Sequence, residues 1–128
     1  MTNTTSKVAL ITGGSRGLGK DMSLQLAKKG FDIIFTYNSN VNEATKVVDE
    51  ITAMGKKAKA IQLDVSNSKS FNVFVESVKS SLSNDFGTRN LFALVNNAGI
   101  SAYSSIAETT EEVFDIMVNI HLKAPYFI

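Results

Sequence analysis

The chain has 128 residues, 44% of them apolar, with 13 basic and 12 acidic side chains and a net charge of +1. That length suffices for one domain that buries roughly two-thirds of its unfolded surface, and the charge balance gives no electrostatic case for nucleic acid or an anionic membrane. Cysteine is absent, which excludes disulfides and thiolate metal sites and makes the cytoplasm the expected compartment. No apolar run approaches the roughly 20 residues of a membrane span, and the polar leader, residues 1–6, lacks the apolar centre of a secretory signal.

Val8-Ala9-Leu10-Ile11 predicts a first strand over residues 7–12. It leads into Thr12-Gly13-Gly14-Ser15-Arg16-Gly17-Leu18-Gly19 and then an amphipathic stretch with Met22, Leu24, Leu26 and Ala27. The order is strand, glycine turn, helix; the helix is predicted over 17–29, with Gly30 as its stop. A helix N-terminus has unpaired N–H groups and partial positive charge, so it attracts a pyrophosphate, and glycines sit where the backbone must approach it. The spacing is TGxxxGxG rather than GxGxxG, and a glycine cluster alone also serves purely steric needs in such turns.

A second strand is predicted over 32–36 and a helix over 42–54, with Val47, Val48 and Ile51 on one face and Gly55 at its end. A third strand over 58–63 runs into Asp64-Val65. The next helix starts near Asn67 and carries Phe71, Phe74, Val75 and Val78 at helical spacing. A fourth strand over 91–95 ends in Asn96-Asn97-Ala98-Gly99. The last helix follows Thr109, which with Glu112 is expected to form a capping box. Its apolar positions are Val113, Met117, Ile120, Ala124 and Phe127, and Pro125 is expected to bend it. Alternating βα units with short connections predict an α/β fold, a doubly wound parallel sheet with helices on both faces. Ligands in such sheets bind beyond the strand C-termini, so the glycine loop, the residues after strand two, Asp64 and the Asn-Asn-Ala-Gly segment should converge on one crevice.

TGxxxGxG followed by Asn-Asn-Ala-Gly after a later strand resembles the short-chain dehydrogenase/reductase family. Asp64-Val65, Arg16 before the second glycine and Asn119 on the last helix fit the same pattern in order, from about residue 7 to 128. The resemblance implies a Rossmann-type dinucleotide-binding domain and an oxidoreductase. It implies that Gly13, Ser15, Arg16, Gly17, Leu18 and Gly19 cradle the cofactor. It further implies that the Asp64 carboxylate accepts from the adenine amino group, that the Val65 amide faces the ring, and that Asn96, Ala98 and Gly99 wall the nicotinamide ribose. Asn119 would hold a water in a proton relay. The family's Ser and its Tyr with a Lys four residues on are not found: Tyr37 is followed four positions later by Val41, Tyr103 by Ala107, and Tyr126 by only two residues. The sequence therefore looks like the N-terminal half of a reductase, one dinucleotide-binding domain over 1–128 that ends inside a helix, without the catalytic half.

The expected cofactor is NADP rather than NAD. An NAD site usually carries an acid at the end of strand two. The family places it where Tyr37 stands, and no acid occurs from 35 to 42; Tyr37, Asn38 and Ser39 offer neutral groups instead. Asp32 precedes the apolar run, at the end away from the crevice, and reads as a solvated edge residue. Arg16, one of two arginines, is either a solvated turn residue or a clamp on the 2′-phosphate. Asp64 could merely begin a turn, Asn96 to Gly99 could mainly brace the sheet, and Asn119 could be an exposed helix residue. His121, the only histidine, reads as surface or interface; Ser101, Tyr103 and Ser104 read as a surface loop. Two functional classes follow. One is the cofactor-binding part of an NADP-dependent carbonyl reductase, similar to bacterial β-ketoacyl-acyl-carrier-protein reductases, acting on a small carbonyl or acyl substrate. The other is a non-catalytic nucleotide-binding or oligomerising module. A homo-oligomer, a dimer or larger, is expected, with the strand-four edge and the final helix at the contact.

Overall fold

The computed structural model describes residues 6–128; apart from Ser6, the leader lies outside the described residues. Four parallel strands, β1 (Val8–Ile11), β2 (Asp32–Tyr37), β3 (Ala58–Gln62) and β4 (Ala93–Val95), form one sheet in the order β3-β2-β1-β4. The intervening helices are α1 (Gly17–Lys28), α2 (Val41–Ala53) and α3 (Phe71–Asn84), the last preceded by a 3₁₀ turn (Ser68–Ser70). After β4 come α4 (Glu111–Val118), a π-helical turn (Asn119–Lys123) and α5 (Ala124–Phe127).

The alternation of β1 explains the two-sided core. Its side chains point in turn to opposite faces. Val8 and Leu10, with Ile34 of β2, pack on Phe71, Phe74, Val78 and Leu82 of α3. Ala9 and Ile11, with Ile33 and Phe35, pack on Ala27 of α1 and Ala44, Val47 and Ile51 of α2. A strand covered on both faces reads as a continuous apolar run, which is what Val8-Ala9-Leu10-Ile11 is. The outer strand β3 is only partly buried and alternates Ala-Lys-Ala-Ile-Gln. The fold is thus the expected doubly wound, Rossmann-type parallel sheet. The chain order reverses at β1, between β2 and β4, so the switch point lies beyond the C-terminus of β1.

Two local expectations, for Asp32 and for the α4 cap, need correction, and Pro125 has a further local consequence. Asp32 is buried rather than solvated. Its carboxylate accepts from the Lys57 amide (2.8 Å) and the Ser6 hydroxyl, and Lys56 Nζ lies 3.6 Å away. The segment leading into β3 runs beside the start of β2 and supplies Lys56 and Lys57, and Ser6 comes from the segment before β1. The cap of α4 is Thr110, whose side chain accepts from the Val113 amide (3.2 Å); Thr109 bonds back to the Ser105 carbonyl. With valine at the third helical position, no reciprocal capping box can form. Pro125, finally, sits just after a widened turn: the Ala124 amide bonds to the Asn119 carbonyl, five residues back. A proline has no N–H for the carbonyl four residues before it, and the helix meets this with a π turn.

Candidate functional site

The C-terminal ends of β1 and β2 carry two buried threonines that fix the glycine turn. Thr36 Oγ1 accepts from the Gly13 amide (3.0 Å), and its carbonyl accepts from the Gly14 amide (2.9 Å). Thr12 Oγ1 accepts from the amides of Asn97 (3.0 Å) and Ala98 (3.1 Å). The Asn97 side chain donates in return to the carbonyls of Thr12 and Gly13, each at 3.2 Å. A buried hydroxyl must find partners, and here those partners tie together three strand ends.

The turn then enters α1. Gly17 has φ +58° with open space around it, a backbone state that L side chains rarely adopt. Gly19 has the opposite reason: a Cβ there would run into the Gly13 carbonyl oxygen and the Asn97 amide nitrogen. Arg16 is the N-cap, in extended conformation, and gives the helix no side-chain cap; no acid stands in the first turn. The first N–H groups of α1 are therefore left without a side-chain acceptor and face outward with the helix's partial positive charge.

They face a crevice of about 360 Å³. Its floor is the turn from Gly13 to Gly19 and its walls are formed by Tyr37 and Asn38 after β2, Asp64 and Val65 after β3, and Ala98 to Ile100 after β4. Of the residues expected at the site, Gly13, Ser15, Arg16, Gly17, Leu18, Gly19, Tyr37, Asn38, Asp64, Val65, Ala98 and Gly99 line it together. Ser39 lines an adjoining groove that shares Asn38 and Asp64. Asn96 is exposed and lies outside the lining, whereas its neighbour Asn97 lines the crevice. Asn119 is half-buried and also lies outside the lining. Asp64 makes a turn as well as a wall: its Oδ1 accepts from the Ser66 amide (2.9 Å) and hydroxyl (2.6 Å). A wider groove of about 820 Å³ runs between β3 and α3, along Lys59, Gln62, Asn72 and Glu76. It contains no glycine turn and includes side chains of the first turn of α3, Asn72 and Val73.

Thr12, Thr36 and Asn97 were not among the expected site residues. A hydroxyl residue closing each of two apolar strands was the available signal. A family profile for short chain dehydrogenase matches residues 7–128. The chain belongs to the short-chain dehydrogenase family. It is 38% identical over 125 residues to the hydroxynaphthalene reductase-like protein Arp2 of Metarhizium robertsii, covering 97% of this chain and 44% of that protein. Against the hydroxynaphthalene reductase arp2 of Aspergillus fumigatus it is 34% identical over 122 residues, covering 95% and 42%. Among solved structures, the angucycline C-6 ketoreductase LanV with bound NADP superposes with a TM-score of 0.91 at 32% identity, covering 97% of this chain and 49% of that one. A blue fluorescent protein from a metagenomic library, solved with NADPH, gives 0.85 at 38% identity, covering 98% and 49%. The chain thus spans less than half the length of these curated relatives. Among the described residues no helix is long and apolar enough to cross a membrane.

Proposed function

We propose that the crevice binds NADP and that the chain is the cofactor-binding part of a cytoplasmic NADP-dependent carbonyl reductase of the 3-oxoacyl reductase type. The observation that carries this reading is the charge pattern around the start of α1. The helix start is acid-free, Arg16 stands at its mouth, and the end of β2 presents Tyr37, Asn38 and Ser39 without a carboxylate. An acid there would repel a 2′-phosphate; an arginine attracts it. The relatives solved with NADPH and NADP support the same choice.

In this reading the amides of Gly17, Leu18 and Gly19, with Ser15, hold the pyrophosphate. Arg16 pairs with the 2′-phosphate beside Asn38 and Ser39. Asp64 and Val65 meet the adenine, and Asn96, Ala98 and Gly99 wall the nicotinamide ribose. The fit rests on the cradle itself: Gly17, at φ +58°, and Gly19, where a Cβ would strike the Gly13 carbonyl, leave two of the three first-turn positions of α1 without a β-carbon, so its amides are open to a phosphate. When bound, the nicotinamide supplies hydride to a carbonyl carbon. The chain's own part is to orient it and to keep its charge compensated. These 128 residues hold no Tyr with a Lys four positions on, so the chain alone binds the cofactor without turning over substrate. A homo-oligomer remains our expectation for assembly.

Calorimetry with NADPH and NADH tests the reading. NADPH should bind more tightly, and Arg16→Ala should remove most of the difference, because a charge-assisted contact of roughly 1.5–3 kcal/mol corresponds to about 10- to 150-fold. Equal affinities for the two cofactors, or a preference unchanged in the variant, would refute the Arg16 assignment.

A further inference from the structure

We propose that His121, rather than Asn119, is the helix residue that positions the crevice wall at Gly99 and Ile100. The inference rests on reading the crevice as an NADP site. Two residues two apart on a helix diverge by about 200°, so only one of this pair can face the loop. The π turn that begins at Asn119 sets which one. His121 Nε2 lies 2.8 Å from the Ile100 carbonyl oxygen and 3.3 Å from the Ile100 amide nitrogen. An imidazole nitrogen either donates or accepts, depending on its tautomer, so in either tautomer one of these two contacts holds the Ile100 backbone. The shorter contact is to the carbonyl, so the favoured form carries its proton on Nε2 and donates.

A second observation comes from the glycine beside it. A Cβ built on Gly99 would sit 2.6 Å from His121 Cε1 and 3.4 Å from Nδ1. The ring occupies the space beside the Gly99 Cα, so a side chain at this position would have to displace the imidazole. Both Gly99 and Ile100 line the crevice, as does Ile120, the buried residue that seats the π turn against it. Among the described residues, the Asn119 side chain makes no hydrogen bond and takes no part in this wall. His121 is therefore a positioning residue: it acts on the cofactor through the Gly99–Ile100 backbone and does not itself line the crevice.

NADPH titration of the chain and of its variants, followed by cofactor fluorescence, provides the test. His121→Ala should weaken NADPH binding about three- to tenfold, the effect of one lost hydrogen bond. His121→Asn, which keeps a donor and an acceptor, should recover binding to within about twofold. The ¹⁵N spectrum of the imidazole should show the Nε2-protonated tautomer, with the Ile100 amide shifting on addition of NADP⁺. Gly99→Ala should weaken binding in the parent chain and much less in a His121→Ala background, because the obstructing ring is gone. Parent-like binding in His121→Ala, or a larger loss in Asn119→Ala, overturns the inference alone. No NADPH binding by the unsubstituted chain overturns the cofactor reading, and this inference with it.

Discussion

The start of α1 and the starts of α2 and α4 solve the same problem in opposite ways. Each helix begins with N–H groups that have no partner within the helix. At α2 the Asn40 side chain accepts from the Glu43 amide (3.1 Å), and Glu43 places a negative charge in the first turn. At α4 Thr110 accepts from the Val113 amide, with Glu111 and Glu112 behind it. Both ends are closed by their own side chains. At α1 the N-cap is an arginine that caps nothing, and the first turn is Gly-Leu-Gly. That end is left open and electropositive, and it is the one that faces the crevice. The α3 start also lacks a side-chain cap and a first-turn acid, but a 3₁₀ turn capped by Asn67 precedes it. The difference teaches that an unsatisfied helix start marks a binding site where it also opens onto a crevice.

The strongest way to break the comparison is to fill the open end. Gly19→Val sets a branched side chain against the Gly13 carbonyl and the Asn97 amide. Overpacking of this kind costs roughly 1–3 kcal/mol, and the displaced turn should lose at least about 100-fold in NADPH affinity. Thermal unfolding and calorimetry read the two effects separately. A valine variant that binds NADPH like the parent would mean that the cradle is not where the phosphate sits.

A subtler variant converts the open end into a closed one. Arg16→Asp supplies both the missing cap and the missing acid. Without cofactor the chain should become more stable, by about 1 kcal/mol for a side-chain cap. Affinity for NADPH should fall by about 100-fold, because the same carboxylate competes with the phosphates for the amides and repels them. Opposite signs in stability and binding are the expected result. Losses in both would show that Arg16 holds the turn together rather than waiting for a ligand.

Much of this was legible in the sequence. The sheet and its helices follow from apolar runs and helical spacing, and the crevice from the rule that ligands gather at strand C-termini. What escaped depends on register and on distant neighbours. Asn97 rather than Asn96 braces the turn because Val95 pairs with Ile11, which carries Asn97 alongside Gly13; nothing in Asn-Asn-Ala-Gly says which asparagine points inward. Asp32 looked solvated because its local sequence is a strand edge, but its partners, Lys57 and Ser6, come from segments about 25 residues away on either side. His121 is exposed, as a surface reading expects. Its contacts with the Ile100 backbone were not legible, because the phase of the last helix changes at the π turn and a helical wheel drawn at constant pitch cannot show that change.

The mildest prediction sharpens the closed side of the comparison. Thr110→Ala removes the cap of α4 and leaves the Val113 amide to solvent. The helix start is exposed, so water takes over much of the bond, and the cost should be about 1 kcal/mol, or roughly 4 °C in the melting temperature of a chain this size. Glu111 and Glu112 continue to oppose the helix's positive end, which keeps the loss small. NADPH affinity should stay within about twofold of the parent value, because α4 begins away from the crevice lining and the wall is held further along, at the π turn. A stability loss several times larger, or a matching loss of NADPH binding, would show that the start of α4 is coupled to the site and that the division between closed and open helix ends does not hold.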